Sequence, residues 1–275
     1  MGNHVPRLHV LLARAAPTAV VVRRGPSRRT ALIGWDRLTD TFSVGQWLHG
    51  RIYERRSDLS PDGRHFLYFA MNGHWESLTR GSWTAIARAP YLKAVTLLGK
   101  GDCWHGGGLF LSDATYWLND DTGHRVLHQC PALRRVDAFP WHESYGGECP
   151  GVYFIRLQRD GWTLRDTVKQ GKHGTITTFE KCVDEEWVLR KLAHAGPARR
   201  EGRGCYHDTH ELINISTGLA IVQDDWEWAD VDRDRLVWAE AGRLLAGRLT
   251  GEGVQEVRTL QDFTTMTFTA IKAPY

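Results

Sequence analysis

Residues Ser57–Ala70 read SDLSPDGRHFLYFA, and the predicted fold rests on this segment. Pro61 presets the backbone φ that the second position of a tight turn requires, and Gly63 accepts a positive φ without steric cost. The run that follows, Phe66–Ala70, is aromatic and apolar, which is typical of a strand that is buried on both faces. The segment therefore predicts two strands joined by a tight turn.

The same alternation of short apolar runs with glycine, proline and aspartate turns continues along the chain. We count roughly twenty strand candidates and no convincing helix, so the sequence predicts an all-β fold. The candidates include Val152–Leu157, which follows a Pro-Gly turn, and Thr265–Ile271 near the end of the sequence.

Turns marked by glycine and cysteine recur around Cys103, Cys149 and Cys205. Their spacing is close to the roughly 40–50 residues that a four-stranded propeller blade requires. The sequence therefore predicts a single β-propeller domain over residues 1–275, with about five blades of four antiparallel strands. Because open first and last blades would expose strand edges, we expect the N- and C-terminal strands to pair and close the ring.

Leu59–Tyr68, LSPDGRHFLY, resembles the S-P-D-G-x-x-L/I-x-Y/F turn that is common in TolB-like and WD40-like β-propellers. A weaker match lies at Asp232–Trp238, DRDRLVW. The resemblance implies a propeller and says nothing about chemistry, because the fold hosts many functions. No G-H…W-D pair recurs at a fixed offset, which argues against ordinary WD40 repeats.

The composition is that of a soluble globular protein, with 42% hydrophobic and 24% charged residues. No run approaches the roughly 18 apolar residues of a membrane span. The apolar run Leu8–Leu12 is too short for a signal-peptide core. Five cysteines without a CxxC pair do not indicate a disulfide framework or a standard zinc site, so we expect a cytoplasmic protein.

The net charge of +3 is small and makes nucleic acid an improbable partner. The arginines occur in pairs that are scattered along the chain. We interpret these pairs as solvent-exposed side chains at the rims of the fold, and not as one continuous phosphate-binding surface. The pairs are Arg23-Arg24, Arg28-Arg29, Arg55-Arg56, Arg134-Arg135 and Arg199-Arg200.

The densest group of potential metal ligands lies in Cys205–Glu211, CYHDTHE. On a strand these side chains alternate, with Cys205, His207 and Thr209 on one face and Tyr206, Asp208 and His210 on the other. A metal site would use Cys205 with His207, or Asp208 with His210, and further ligands such as Cys103 or His105. The alternative that we favour is structural, because buried free cysteine is common packing material.

Trp104-His105 and Trp141-His142 each precede a glycine turn. If these turns open on one face, their side chains could line a pocket for a sugar, a nucleotide or a peptide side chain. Tyr206 and His207 repeat the order of Trp104 and His105 after a cysteine, so they join the candidate ligand-binding residues. The alternative is that the 12 tryptophans fill the space between neighbouring blades.

These observations favour a non-enzymatic binding or scaffolding propeller that recognises another protein through its rim loops. A small molecule or a glycan is the other partner class, and we assign no catalytic residue, cofactor or membrane contact. One alternative is a propeller enzyme, either metal-dependent or a glycoside hydrolase that uses Asp58, Asp113 and Asp230. A second alternative is a carbohydrate-binding lectin that uses its tryptophans.

Overall fold

The computed structural model of the chain describes residues 5–25, 28–121, 123–197 and 204–275. The chain divides into two compact units, Met1–Arg156 with Met266–Tyr275, and Leu157–Thr265. The predicted Arg199-Arg200 pair lies outside the described residues.

The described strands of the first unit are short and mostly pair with their neighbours in sequence. They are β1 (Arg7–Leu12), β2 (Thr18–Arg24), β3 (Arg29–Asp36), β4 (Thr41–His49), β5 (Arg51–Ile52), β6 (Asp58–Leu59), β7 (His65–Met71), β8 (Ser82–Arg88), β9 (Ala94–Gly99), β10 (Gly108–Phe110), β11 (Thr115–Leu118), β12 (Arg125–His128) and β13 (Arg134–Val136). A single 3-10 turn, Glu54–Arg56, separates β5 from β6. The strands form three sheets, ordered β1-β2-β3-β4, β12-β9-β8-β7-β5 with β6 also on β7, and β10-β11-β13.

The hairpin predicted at Ser57–Ala70 is confirmed. β6 pairs antiparallel with β7, with Asp58 opposite Leu67 and Leu59 opposite Phe66. The turn between them closes through a 2.8 Å hydrogen bond from Gly63 N to the carbonyl oxygen of Ser60. Gly63 has φ +74°, the conformation that favours glycine at this position.

Strand β7 lies between two layers, which explains its unbroken apolar sequence. On one face, Phe66 and Tyr68 pack in a core cluster with residues of the first sheet such as Val20. On the other face, Leu67 packs with Phe110 and residues of the third sheet. Because alternate residues of a strand point to opposite faces, a strand covered on both sides has no polar positions.

The predicted strand Val152–Leu157 is wrong, because these residues lie in the helix α1 (Cys149–Arg159). Val152 and Ile155, three residues apart, pack on Leu109 and Trp117 of the third sheet. A fully buried apolar run does not distinguish a helix from a strand by its periodicity. With 11 residues, α1 is the longest helix in the described part of the chain and is too short to cross a membrane.

The second unit contains two antiparallel sheets whose strands follow the order of the sequence. The first sheet has five strands, β14 (Thr163–Gln170), β15 (Gly174–Cys182), β16 (Trp187–Ala195), β17 (Tyr206–Asn214) and β18 (Ala220–Gln223). The second has four strands, β19 (Trp226–Asp232), β20 (Arg235–Glu240), β21 (Arg243–Thr250) and β22 (Gly253–Asp262). The weaker turn match, Asp232–Trp238, lies across the β19–β20 hairpin.

The predicted strand Thr265–Ile271 is also wrong, because this segment has no regular structure. From Met266 onward it belongs to the first unit, where Gln46 Nε2 donates to the carbonyl oxygen of Ile271 at 2.8 Å and Trp47 meets Phe268 edge-on. The carbonyl group of Ile271 therefore bonds to a side chain and not to a neighbouring strand. Among the described strands, β1 pairs with β2 and β22 with β21, so the predicted pairing of the terminal strands is not observed.

The described chain is therefore all-β with one α-helix. It has five sheets of three to six strands, and the pairings are antiparallel except between β11 and β13. The first unit stacks its layers in the order of the sequence, because the second sheet packs on the first, the third on the second, and α1 on the third.

Candidate functional site

Several loops of the first unit lie at the same end of its second and third sheets. The antiparallel register places the end of β7 beside the start of β8, and the end of β9 beside the start of β12. The start of β10 pairs with the end of β11 in the same way. We call this surface the aromatic end and define it as residues 72–81, 100–107, 119–121 and 137–148.

Hydrogen bonds join the loops of the aromatic end to one another. Ser82 Oγ, at the start of β8, donates to the carbonyl oxygen of Asp102 at 2.6 Å. Gly106 N donates to the carbonyl oxygen of Asn119 at 2.8 Å, and Asn119 Nδ2 donates to that of Gly147 at 3.2 Å. The loops are therefore held in a common arrangement by hydrogen bonds from both side chains and the main chain.

Trp104 and His105 lie in the loop 100–107 of this surface. The Trp104 side chain is 58% exposed, although Asp102 accepts a 2.8 Å hydrogen bond from its backbone N–H. His105 has φ +57°, a conformation that few residues other than glycine adopt. Such a backbone persists only where its surroundings hold it, and it occurs often at binding sites.

The His105 imidazole is enclosed by two other loops of the aromatic end. A Cβ on Gly147 would lie 2.4 Å from His105 Nε2, so only glycine leaves room for the ring. The same Nε2 lies 3.8 Å from a carboxylate oxygen of Asp121. His105 Nδ1 is buried and has no hydrogen-bond partner among the described residues, so it is available to a ligand that reaches it.

Trp141 belongs to a cluster of three rings. Trp117, Phe139 and Trp141 meet edge to face, with ring centroids 5.0 to 5.6 Å apart. Such pairs contribute about 0.5–1.5 kcal/mol each beyond the area they bury. Trp141 is half-buried, whereas Phe139 and His142 are exposed at the edge of the cluster. Trp141 thus packs in the cluster and still exposes part of its ring to solvent.

The structure places Trp104, His105, Trp141 and His142 together in the first unit, and Tyr206 and His207 in the second. In β17, His207 is buried, and its ring stacks on His194 of β16 at a centroid distance of 4.4 Å. His207 Nδ1 donates to the carbonyl oxygen of Gly204 at 3.1 Å. Tyr206 is half-buried at the start of the same strand.

Three of the candidate metal ligands, His207, Asp208 and His210, lie in β17, and Cys205 directly precedes this strand. His207 lies opposite His194, and Asp208 lies opposite Ala193 on the next register position. His210 is fully buried, and its Nδ1 donates to the carbonyl oxygen of Trp226 at 3.3 Å. Over the described residues, no three or more His, Cys, Asp or Glu side chains are grouped as metal ligands would be.

The three aspartates of the glycoside-hydrolase alternative all have structural partners. Asp58 accepts a 2.7 Å hydrogen bond from the backbone N–H of Phe110, and Asp113 accepts one from that of Asp62 at 2.9 Å. In the second unit, Asp230 forms a 2.7 Å ion pair with Lys181. Each carboxylate therefore stabilises the fold at its own position.

The interpretation of the arginine pairs as solvated rims is wrong for two of the pairs. Arg23, Arg55 and Arg56 are buried, and Arg24 is half-buried. Arg24 Nη1 donates to both carboxylate oxygens of Glu54, at 2.9 and 3.2 Å. The sequence contained one signal for this, because Glu54 directly precedes Arg55-Arg56 and supplies the counter-charge that a buried arginine needs.

Other arginines act electrostatically on Arg24 or on Glu54. We call Arg7, Arg24, Arg51, Glu54 and Arg55 the Glu54 cluster. Burial by itself raises the pKa of Glu54, but Arg24 and Arg55 outweigh burial and lower this pKa to about 2. Glu54 is therefore ionised throughout the physiological range.

Comparison with known proteins finds no family model that matches this chain and no similar curated protein.

Proposed function

We propose that the chain is a non-enzymatic binding or scaffolding protein and that its aromatic end recognises another protein. One observation carries the proposal, which is the pairing of an exposed Trp104 with the strained, enclosed His105 beside it. The hydrogen bonds between the loops support it, because an ordered loop loses little entropy on binding.

The chemistry of the surface favours a protein partner. Trp104 and Phe139 offer exposed rings, and Trp141 offers the rim of a ring that is anchored in the cluster with Trp117. Large aromatic side chains on well-packed supports are the residues that contribute most to protein–protein affinity. His105 and His142 add polar groups next to these rings, as a specific interface requires.

We propose further that the five sheets are blades of a β-propeller. The first sheet of the first unit and both sheets of the second unit are antiparallel, and their strands follow sequence order, as in propeller blades. Face-to-face packing of successive sheets in the first unit also supports this proposal. An experimental structure without a central axis would contradict it.

The recognition role is tested with a partner that is captured, identified and purified. We expect Trp104→Ala to weaken the affinity by about 30-fold or more in calorimetric titration, the loss of a hot-spot tryptophan. Leu38→Ala is the matched control, because Leu38 is 62% exposed on the β3–β4 turn, outside the aromatic end. Circular dichroism establishes that both variants fold.

Two outcomes would overturn the proposal. Equal affinity of Trp104→Ala and the wild-type chain would remove the aromatic end from the interface. Binding on a glycan array that Trp104→Ala abolishes would instead make the protein a lectin, since sugars also stack on exposed tryptophan rings.

A further inference from the structure

We propose that His124 is a pH-sensitive switch that controls the order of the loop carrying Trp104 and His105. The switch is a chain of polar contacts that joins this loop to β8 and to the segment between β11 and β12. Its consequence for recognition rests on the proposed function of the aromatic end, whereas the switch itself is tested without a partner.

The chain of contacts runs through four residues, which we call the His124 relay. They are Gly107, Thr84, His124 and Asp120. Gly107 N donates to Thr84 Oγ1 at 2.9 Å, and the same hydroxyl lies 3.1 Å from His124 Nε2. His124 Nδ1 lies 2.9 Å from a carboxylate oxygen of Asp120. Because the three side chains are buried, water does not readily replace a contact that is lost.

The hydroxyl of Thr84 determines which imidazole nitrogen carries the proton. Thr84 Oγ1 accepts from Gly107 N, and among the described residues His124 Nε2 is the one acceptor for the hydroxyl hydrogen. Nε2 is therefore unprotonated in the neutral ring, and the proton lies on Nδ1, facing the carboxylate of Asp120. In this tautomer every polar group of the His124 relay has a partner.

Protonation of the ring reverses its contact with Thr84. An imidazolium donates from both nitrogens, so a hydrogen on Nε2 would point at the hydrogen of the hydroxyl. The hydroxyl then has to turn away from the ring, which leaves a buried O–H without its acceptor. We expect this rotation to take the lone pair of Oγ1 away from Gly107 N.

The charged groups near His124 come from three parts of the first unit. They are Asp120 in the same segment, Lys100 after β9 and Arg135 in β13. Lys100 forms a 2.8 Å ion pair with Asp102. Arg135 forms ion pairs with Asp120 at 3.1 Å and with Asp137 at 2.9 Å. Asp120 is therefore shared between the imidazole and a guanidinium group.

These surroundings keep the ring neutral at pH 7. Burial lowers the pKa of His124 below its ordinary value of 6.5, and Lys100 and Arg135 lower it further, whereas Asp120 raises it. The imidazole gains its charge only on acidification below this ordinary value. The contact between His124 and Thr84 is therefore present at neutral pH and lost in acid.

The His124 relay ends on the loop of the aromatic end. Gly107 is the last residue of the loop 100–107, and its carbonyl oxygen accepts from Asn119 N at 2.9 Å. Loss of the contact with Thr84 would remove one of the two hydrogen bonds that hold the peptide groups of Gly107. A less ordered loop loses more entropy on binding, so we expect weaker recognition in acid.

Solution NMR of the full chain tests the switch. Nitrogen shifts of the His124 ring at pH 7.5 should identify the Nδ1–H tautomer, and a titration to pH 4.5 should give a midpoint below the ordinary value. We expect the hydrogen-exchange protection of the Gly107 amide, corrected for the intrinsic effect of pH, to fall by about tenfold across this transition.

Two variants separate the switch from a purely structural role. His124→Gln keeps an acceptor for the Thr84 hydroxyl but does not titrate, so the protection of Gly107 should no longer depend on pH. Thr84→Val removes the hydroxyl, so this protection should be low at every pH. His128→Gln is the matched control with the wild-type pH dependence, since His128 is an exposed histidine of β12.

Four results would overturn the inference. They are a proton on Nε2 at pH 7.5, a ring that stays neutral down to pH 4.5, constant protection of Gly107 across the titration, and the wild-type pH dependence in His124→Gln. A captured and purified partner should bind the wild-type chain about tenfold more weakly across the transition, and His124→Gln equally at each pH. Should Trp104→Ala leave the affinity unchanged, the recognition role would fail while the NMR result would stand.

Discussion

Single residues in this protein show how burial and charge compete. Removing Glu54 from water raises its pKa, whereas Arg24, Arg55, His9 and Arg51 lower it, and the positive groups outweigh burial. The outcome is a buried carboxylate that stays ionised because the positive charges of its partners outweigh the cost of removing it from water. Such a pair is strongly destabilising to break, since the remaining charges would lose their compensation.

This balance predicts how stability depends on pH. The pKa of Glu54 falls from its ordinary value of 4.5 to about 2 on folding. The associated stability is therefore fully present above about pH 4.5 and is lost as the pH falls towards 2. We expect Glu54→Gln to lower the free energy of unfolding by about 3 kcal/mol at pH 7. On acidification, the variant should lose less of its remaining free energy of unfolding than the wild-type chain loses.

Urea unfolding at pH 7, 5 and 3 measures both effects. Glu252→Gln is the matched control, because Glu252 is an exposed carboxylate in the second unit. If Glu54→Gln lost as much stability between pH 5 and pH 3 as the wild-type chain, another group would be responsible for the acid sensitivity.

At the scale of elements, tight turns bring the loops of the aromatic end close to the 3-10 turn. Gly107, at the end of the loop that carries Trp104 and His105, has φ +76°, and a Cβ there would lie 1.9 Å from the carbonyl oxygen of Arg56. Arg56 in turn donates to the carbonyl oxygens of Cys103 and His105 at 2.8 and 2.7 Å. The aromatic end and the 3-10 turn are therefore packed without spare volume.

We predict that Gly107→Ala is much more destabilising than Gly73→Ala. Both positions have a positive φ, but a Cβ on Gly73 would meet nothing within 4 Å. Gly73→Ala should therefore cost only the backbone strain of about 1–2 kcal/mol, and Gly107→Ala should add a clash with the main chain. Thermal unfolding of the two variants compares them directly, and equal losses would show that the loop moves freely away from Arg56.

Two elements differ from their predictions for related reasons. Residues 151–157 of the helix α1 are all buried, Arg156 included, so this run does not show the separate apolar and polar faces that identify a surface helix. Thr265–Ile271 contains residues that favour strands, yet it finds no strand partner. In both cases the tertiary contacts of the segment outweigh the preference of its local sequence.

At the scale of the whole molecule, the last ten residues return to the first unit after the second unit has been completed. The hydroxyl of Tyr275 accepts a 3.0 Å hydrogen bond from Arg88 N and donates one of 2.7 Å to the carbonyl oxygen of Lys93. Ala273 is buried in the same segment. The C-terminal segment thus stabilises the loop that follows β8.

We predict that Tyr275→Phe lowers the hydrogen-exchange protection of residues 88–93. The variant loses two hydrogen bonds, worth about 2 kcal/mol together, and keeps the ring. Lys272→Ala, at an exposed position of the same segment, should leave the protection unchanged. Unchanged protection in Tyr275→Phe would show that the segment contributes nothing to this loop.

Much of the secondary structure followed from local chemistry. The turn at Ser60–Gly63 needs only proline and glycine two positions apart, and the aromatic run after it needs only burial on both faces. These requirements are satisfied within about ten residues, so they can be recognised without knowledge of the rest of the chain. Trp104 and His105 could likewise be identified as neighbours, because they are consecutive in the sequence.

The remaining features depend on contacts between distant segments. Arg24 and Glu54 are 30 positions apart, and the Gln46–Ile271 contact joins residues 225 positions apart. An arginine pair looks the same in a sequence whether it is solvated or buried, because its free energy depends on the counter-charge that packing brings to it. The Glu54 cluster, the helix α1 and the return of the C-terminal segment were therefore visible in the folded chain and not in its local patterns.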